Sequence, residues 1–274
     1  SVTLTSGDSR VVINRVGRLV VWQTNPDFDN VFLLNHYLRA PGDSRERDLY
    51  AFFGNTAPDA EVFRDRAVLS WQSAVLRAVV EIDLRGGAPG QGRSVLSRRL
   101  TLTNLGRDAL DLVVFDYQDF DVVFDQRNQV DRTRLAAPGV LEARNLRRGD
   151  RAILSRVSPE PEGWEIAPFL DLYFKLLVDR DGPTTLGNAP GVGVWLPAEG
   201  GGDQGAAFSW SVSLQPGGRA VFVNLAERIV PEPATLALFG VGLAGLAALR
   251  PGTRRRCRLP PDHPSQKPAP GSAR

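Results

Sequence analysis

From residue 208 to residue 214 the side chains alternate without a break: Phe208, Trp210, Val212 and Leu214 are apolar, and Ser209, Ser211 and Ser213 are polar. A helix, at about 3.6 residues per turn, would scatter this set around its circumference, whereas a strand sends every second side chain to the same face. The pattern requires a sheet with one face buried and the other wet, which is the habit of antiparallel sheets. Gln215-Pro-Gly-Gly218 then turns the chain, and residues 220–225 return as a second strand, so a hairpin is predicted here.

Similar short runs of Val, Leu, Phe and Thr, separated by Gly, Pro, Asn and Asp, fill the rest of the first 229 residues. Strands are predicted over 9–14, 18–23, 30–38, 49–53, 67–71, 74–84, 94–104, 109–115, 120–125, 140–143 and 152–157. Within 98–114, Asn104-Leu-Gly106 joins two alternating runs into another two-strand unit. Only 166–178 departs from this period. There Ile166, Phe169, Leu170, Tyr173, Leu176 and Leu177 recur at helical spacing, predicting one short helix that crosses an end of the sheets. The Gly-rich stretches 86–92 and 200–205 read as loop tips. A body of this length can bury one large core. The expected fold is therefore an all-β antiparallel sandwich over 1–229, large enough for a two-sheet supersandwich, with no internal repeat.

A different kind of sequence follows. Pro231, Glu232 and Pro233 precede an apolar run over 234–249, and Arg250, Arg254, Arg255 and Arg256 come next. The prolines fix φ and lack amide protons, so the triplet should be extended and accessible. As a helix, the apolar run reaches about 24 Å, a marginal span for a hydrocarbon core of about 30 Å. Arginines beside such a span are retained on the cytoplasmic side, so the body would face outward. Gly240, Gly242 and Gly245 spell GxGxxG, but no strand precedes them and no βαβ unit surrounds them, so dinucleotide binding is not indicated. Gly240, Ala244 and Ala248 instead form a small-residue stripe suited to another membrane helix. Residues 259–274 are Pro-rich, of low complexity and expected to be disordered.

The three-part segment 230–258 closely resembles the PEP-CTERM sorting signal of exported proteins from Gram-negative bacteria that make extracellular polysaccharide. The resemblance implies recognition of Pro231 to Pro233 by a membrane-embedded cysteine protease, the exosortase, which removes the helix and the basic end. It also implies transient residence in the inner membrane and then release to the periplasm, outer envelope or extracellular matrix. Family members usually stop soon after the basic residues, whereas this chain runs on to Arg274.

Composition agrees with export. Cys257, the only cysteine, sits among the arginines, so the body has no disulfide or thiol chemistry. The absence of methionine leads us to expect that a signal peptide preceded Ser1. The net charge of +2 belongs to the tail. Seven of the 33 Lys and Arg lie from Arg250 onward, and Glu232 and Asp262 are the tail's share of 31 acidic residues, which leaves a body with 26 basic and 29 acidic groups. Nucleic-acid binding thereby loses its electrostatic footing.

Catalytic signatures are sparse. The histidines are His36 and His263, the second in the Pro-rich end, so His36 is expected to be structural, and clustered zinc ligands are lacking. The acidic segment 116–131 is the exception. Asp119, Asp121 and Asp125 would project to one side of an extended chain, where mutual repulsion calls for a Ca²⁺ ion or for pairing with Arg127, Arg132 or Arg134. A glycosidase would need two such carboxylates about 5 to 9 Å apart across a cleft. Trp164 and Trp195, nearest to predicted loops, are the candidate sugar platforms, while Trp22, Trp71 and Trp210 read as core. The expectation is an exported, non-enzymatic envelope or matrix protein. The alternative is a β-sandwich that binds or modifies carbohydrate, such as extracellular polysaccharide, through 116–131.

Overall fold

Alternating burial along paired strands builds the body into two stacked antiparallel sheets. The computed structural model describes residues 1–24, 31, 33–88, 90–122, 131–145, 152–177, 182–198 and 202–229. The chain divides into a unit Ser1–Pro231 and a unit Glu232–Arg274. The second unit, with Glu232, Pro233, the apolar run and the arginines, lies outside the described residues, as does Pro231. Among the described residues no helix is long and apolar enough to cross a membrane.

The first half of the chain forms β1 (Val2–Ser6), β2 (Ser9–Ile13), β3 (Leu19–Thr24), β4 (Leu33–Arg39), β5 (Arg47–Asp48), α1 (Leu49–Phe52), β6 (Asp59–Val62), β7 (Arg66–Gln72) and β8 (Leu76–Gly86). It continues through β9 (Ser94–Asn104), β10 (Leu110–Asp119), β11 (Asp131–Ala137), β12 (Val140–Asn145) and β13 (Ala152–Ser158). The remainder is β14 (Gly163–Pro168), α2 (Phe169–Leu177), β15 (Gln204–Leu214) and β16 (Arg219–Ile229). One sheet has the order β1-β2-β3-β4-β10-β15-β14, with β5 on β4, and the other has the order β11-β12-β13-β16-β9-β8-β7-β6. Between them lies the main core, in which Trp22, Leu38, Leu100, Val114 and Phe208 are buried.

The predicted terminal hairpin is corrected by the pairing. The turn forms, with the Gly218 amide donating to the Gln215 carbonyl (2.6 Å) and Gly217 at φ +71°, a region open to glycine. Its two strands, however, do not pair. β15 joins β10 and β14 in the first sheet, while β16 joins β9 and β13 in the second. The connection is an arch between sheets, and Trp210 meets Phe222 across the core with ring centroids 5.2 Å apart. The link from β9 to β10 is an arch of the same kind. Asn104 knits the two arches together: its amide donates to the Gly218 carbonyl and its carbonyl accepts from Gly217, each at 3.0 Å.

Four further expectations change. Residues 49–52 are one helical turn, not a strand, because Asp48 caps them by accepting from the Ala51 amide (2.8 Å). The strand predicted over 120–125 is not formed by Phe120, Asp121 and Val122, which follow the end of β10, and its remainder lies outside the described residues. The helix starts only at Phe169, since 163–168 pair with β15, and it lies on the outer face of the first sheet instead of across an end. There Leu172 and Leu176 pack with Tyr37, Phe115, Tyr117 and Ala207 in a second core. The predicted loop tip at 200–205 already enters β15 at Gln204.

Candidate functional site

The outer face of the first sheet carries both candidate sites, and the period of two decides which side chains reach it. On β10, Leu112, Val114, Asp116 and Gln118 turn inward, and Val113, Phe115, Tyr117 and Asp119 turn outward. On β15, Phe208 and Trp210 belong to the main core, and Ser209, Ser211 and Ser213 face out. Leu33, Tyr37 and Arg39 face outward on β4.

One end of this face is an open groove. Two hollows of about 530 and about 250 Å³ share Arg39, Val113 and Ser211. Val113, Pro41 and Pro183 give apolar surface, Phe115 is buried beneath it, and Ser209, Ser213, Thr185 and Asn188 supply hydroxyl and amide groups. Arg39 lies over the Phe115 ring, 5.5 Å from its centroid, and donates to Glu46 and to the Thr184 carbonyl (2.7 Å). Glu46 also accepts from the Thr184 amide (2.9 Å), so one buried carboxylate ties the groove's far wall to β4. Partial burial works against the charged form of Asp43, but the Ala40 amide and Arg47 outweigh it and hold its pKa below the usual carboxylate value. Glu162, at the rim, accepts from the Ser211 amide (3.0 Å).

The opposite end of β10 carries the acidic cluster. The sequence reading grouped Asp119 and Asp121 with Asp125; the structure brings the first two together with Asp203, and Asp125 lies outside the described residues. One carboxylate oxygen from each of the three lies within 4.8 Å of the others. Pairing explains the meeting: Asp119 stands opposite Gly205, so continuing the antiparallel register sets Asp121 opposite Asp203. The first residue of β11 then clamps both chains. Asp131 accepts from the Val122 amide (2.9 Å) and from Asn145 Nδ2 (2.8 Å), and its carbonyl accepts from the Gly202 amide (3.1 Å).

Asp119 is fully buried, and neither of its carboxylate oxygens has a well-formed hydrogen bond. Burial pushes its carboxyl well above the usual value, the charges of Asp203 and Asp121 and a loose hydrogen bond with Asp203 push it further, and a loose hydrogen bond from Tyr117 acts in the opposite direction. The Tyr117 hydroxyl is also buried without a well-formed hydrogen bond, and burial followed by the Asp119 charge raises its pKa. Its ring lies directly over Gly205, where an added Cβ would come within 2.9 Å of Oη. Asp203 is half-buried and lines a hollow of about 470 Å³ with Pro168, Phe169, Leu170 and Asp171.

The arginines expected to neutralise this cluster have other partners. Arg132 donates to the carbonyls of Pro197 (2.9 Å) and Ala198, and Arg134 pairs with Glu142 (2.6 Å); Arg127 lies outside the described residues. The two tryptophans occupy separate settings. Trp164 packs against the main core and donates through Nε1 to the Pro190 carbonyl (3.1 Å). The Trp195 ring is covered by the guanidinium groups of Arg134 and Arg144, at 4.5 and 5.6 Å. His36 is buried on the inner face, with Nε2 3.6 Å from Asp116. Sequence reasoning missed Asp203, which only the pairing of β10 with β15 brings to the acidic segment, and the serine face of β15, which the same pairing sets beside Val113 in the groove.

This architecture recurs in solved structures. A putative aldose 1-epimerase from Escherichia coli K12 matches with a TM-score of 0.54 at 10% identity, covering 84% of this chain and 98% of that one. A galactose mutarotase-like protein from Lactobacillus casei gives 0.53 at 11% identity, covering 83% and 99%. A bacterial glucoamylase complexed with acarbose gives 0.53 at 11% identity over 90% of this chain, which spans only 35% of that enzyme's length. At such identities the likeness is one of fold. Comparison with curated proteins gives no match. The C-terminal comparison is specific: residues 230–256 match the PEP-CTERM protein-sorting motif, so the chain carries the exosortase-type sorting signal of an exported protein.

Proposed function

We propose that the exported body binds carbohydrate of the envelope or extracellular matrix in the groove over β4, β10 and β15, and does so without turning it over. The observation that carries this reading is the groove's lining. Apolar surface from Val113, Pro41 and Pro183 beside the hydroxyls of Ser209, Ser211 and Ser213 suits a ring that is apolar on its face and hydroxylated at its edge. The fold shared with a putative aldose 1-epimerase, a mutarotase-like protein and a glucoamylase supports a sugar ligand by analogy.

The groove's charges favour binding over catalysis. Glycoside chemistry pairs a carboxylic acid of raised pKa with an ionised carboxylate. Asp43 is held ionised beside Arg47, and Glu162 is tied to the Ser211 amide. The carboxyl with a strongly raised pKa, Asp119, stands at the other end of β10.

The full chain, titrated with polysaccharide from its native host, should bind without releasing reducing ends. Ser211→Trp should fill the groove and abolish binding while leaving the melting temperature unchanged, because Ser211 is exposed on the strand's outer face. Absence of binding to any host polysaccharide, or release of sugar on incubation, would overturn the proposal.

A further inference from the structure

We propose that Asp119, Asp121 and Asp203 hold a Ca²⁺ ion at the end of the first sheet, with the Tyr117 hydroxyl beside it. Ca²⁺ is bound by carboxylate oxygens at about 2.3–2.6 Å, so two ligands on opposite sides of the ion stand about 4.6–5.2 Å apart. Three carboxylate oxygens within 4.8 Å of one another satisfy that limit without rearrangement.

Proximity of acidic groups would not suffice, but two further facts point to a ligand. Asp119 is fully buried and offers two carboxylate oxygens that no protein donor meets in good geometry. Tyr117, 1% exposed, brings its hydroxyl to Asp119, so the buried carboxylate has one polar neighbour and no cationic one among the described residues. Buried polar groups are otherwise satisfied almost without exception, and a cation supplies what the Asp119 carboxylate lacks. The chain is built around this geometry. Asp131 fixes both strands through Val122 and Gly202, and Gly205 admits the Tyr117 ring at a distance that any side chain would obstruct. Asp203 is half-buried beside the hollow at the start of α2, which gives an ion a route inward.

The assignment is independent of the carbohydrate groove. Calorimetric titration of the chelator-treated full chain with CaCl₂ should show saturable binding, a Ca²⁺-dependent rise in melting temperature, and Tb³⁺ luminescence excited through tyrosine. Asp203→Asn keeps the side-chain volume at a half-buried position and should weaken Ca²⁺ at least tenfold without lowering the melting temperature of the metal-free chain. Tyr117→Phe should diminish the sensitised Tb³⁺ signal. Ser211→Trp should leave all three readouts unchanged. A wild-type chain that shows no saturable Ca²⁺ binding, that binds Mg²⁺ more tightly, or whose affinity is unchanged in Asp203→Asn would overturn the proposal. A rise in metal-free stability on Asp119→Asn, with no Ca²⁺ effect on wild type, would identify a proton-sharing acid pair instead. Should Asp119→Asn fail to fold, Asp203→Asn still decides.

Discussion

Arg98 of β9 and Asp116 of β10 join the two sheets through a 2.6 Å ion pair whose side chains are 2% and 3% exposed. Asn224 of β16 and Gln118 complete the shell by donating to the other carboxylate oxygen at 2.9 and 2.7 Å. A charge pair so far from water contributes less than its Coulomb term suggests, because both ions lose their hydration, yet removing one member strands the other.

Arg98→Met should therefore lower unfolding stability by about 3–5 kcal/mol. The double variant Arg98→Met, Asp116→Leu should recover a large part of that loss, since no buried charge is left alone. Urea denaturation of wild type, both single variants and the double variant measures the coupling. Additive losses would show that the two residues do not act as a unit.

His36 gives the network a pH dependence of known sign. Burial lowers its pKa from 6.5 to about 4, with Asp116 opposing the shift and Arg98 adding to it. Between those values the unfolded chain binds a proton that the folded chain refuses, so stability falls as pH drops through this window. The full effect is roughly 3 kcal/mol. The stability curve of His36→Gln should be flatter than that of wild type from pH 6.5 down to pH 4. Other titrating groups are common to both proteins and cancel in the difference.

Asn104 is the most heavily used polar side chain of the arches. Its Nδ2 donates to the carbonyls of Asp108 and Leu214, and its Oδ1 accepts from the Gly106 amide, all at 2.8 Å. Asn104→Ala should cost about 2–3 kcal/mol, since these partners lose their bonds in a closed corner. For a body of this size that lowers Tm by roughly 4–12 °C. Asn104→Asp keeps the acceptor for Gly106 but turns the donor into an oxygen facing two carbonyls, and it should melt no higher than the alanine variant. Calorimetric scans of the three proteins check the order.

Fold class was legible because burial follows the alternation of side chains, and that alternation is written plainly in 94–104 and 208–214. The partner of each strand was not legible. A period of two assigns a side chain to a face, but an arch and a hairpin both place apolar residues toward the core, so Phe208 to Leu225 could not reveal that its halves belong to different sheets. β6 was invisible because Asp59–Val62 is exposed throughout, and β11 because it buries Asp131 and Thr133 beside Leu135. The acidic site was half-legible. Asp119 and Asp121 announce themselves by spacing, whereas Asp203 arrives by strand pairing, which carries no local signal.

Sorting by the C-terminal signal is testable apart from anything the sandwich does. Pro231 and Pro233 lack amide protons and have a fixed φ, so the sequence leads us to expect a triplet open to a processing enzyme. The arginines from Arg250 onward oppose export of the end that follows. Cleavage near the triplet should thus release the body and leave the run over 234–249 behind. Mass spectrometry of the mature protein from its native host should find no peptide covering 236–249. Deletion of Pro231, Glu232 and Pro233 should restore that peptide and hold the protein in the membrane fraction. Recovery of the 236–249 peptide from the mature wild-type protein would show that the signal anchors the chain instead of being removed.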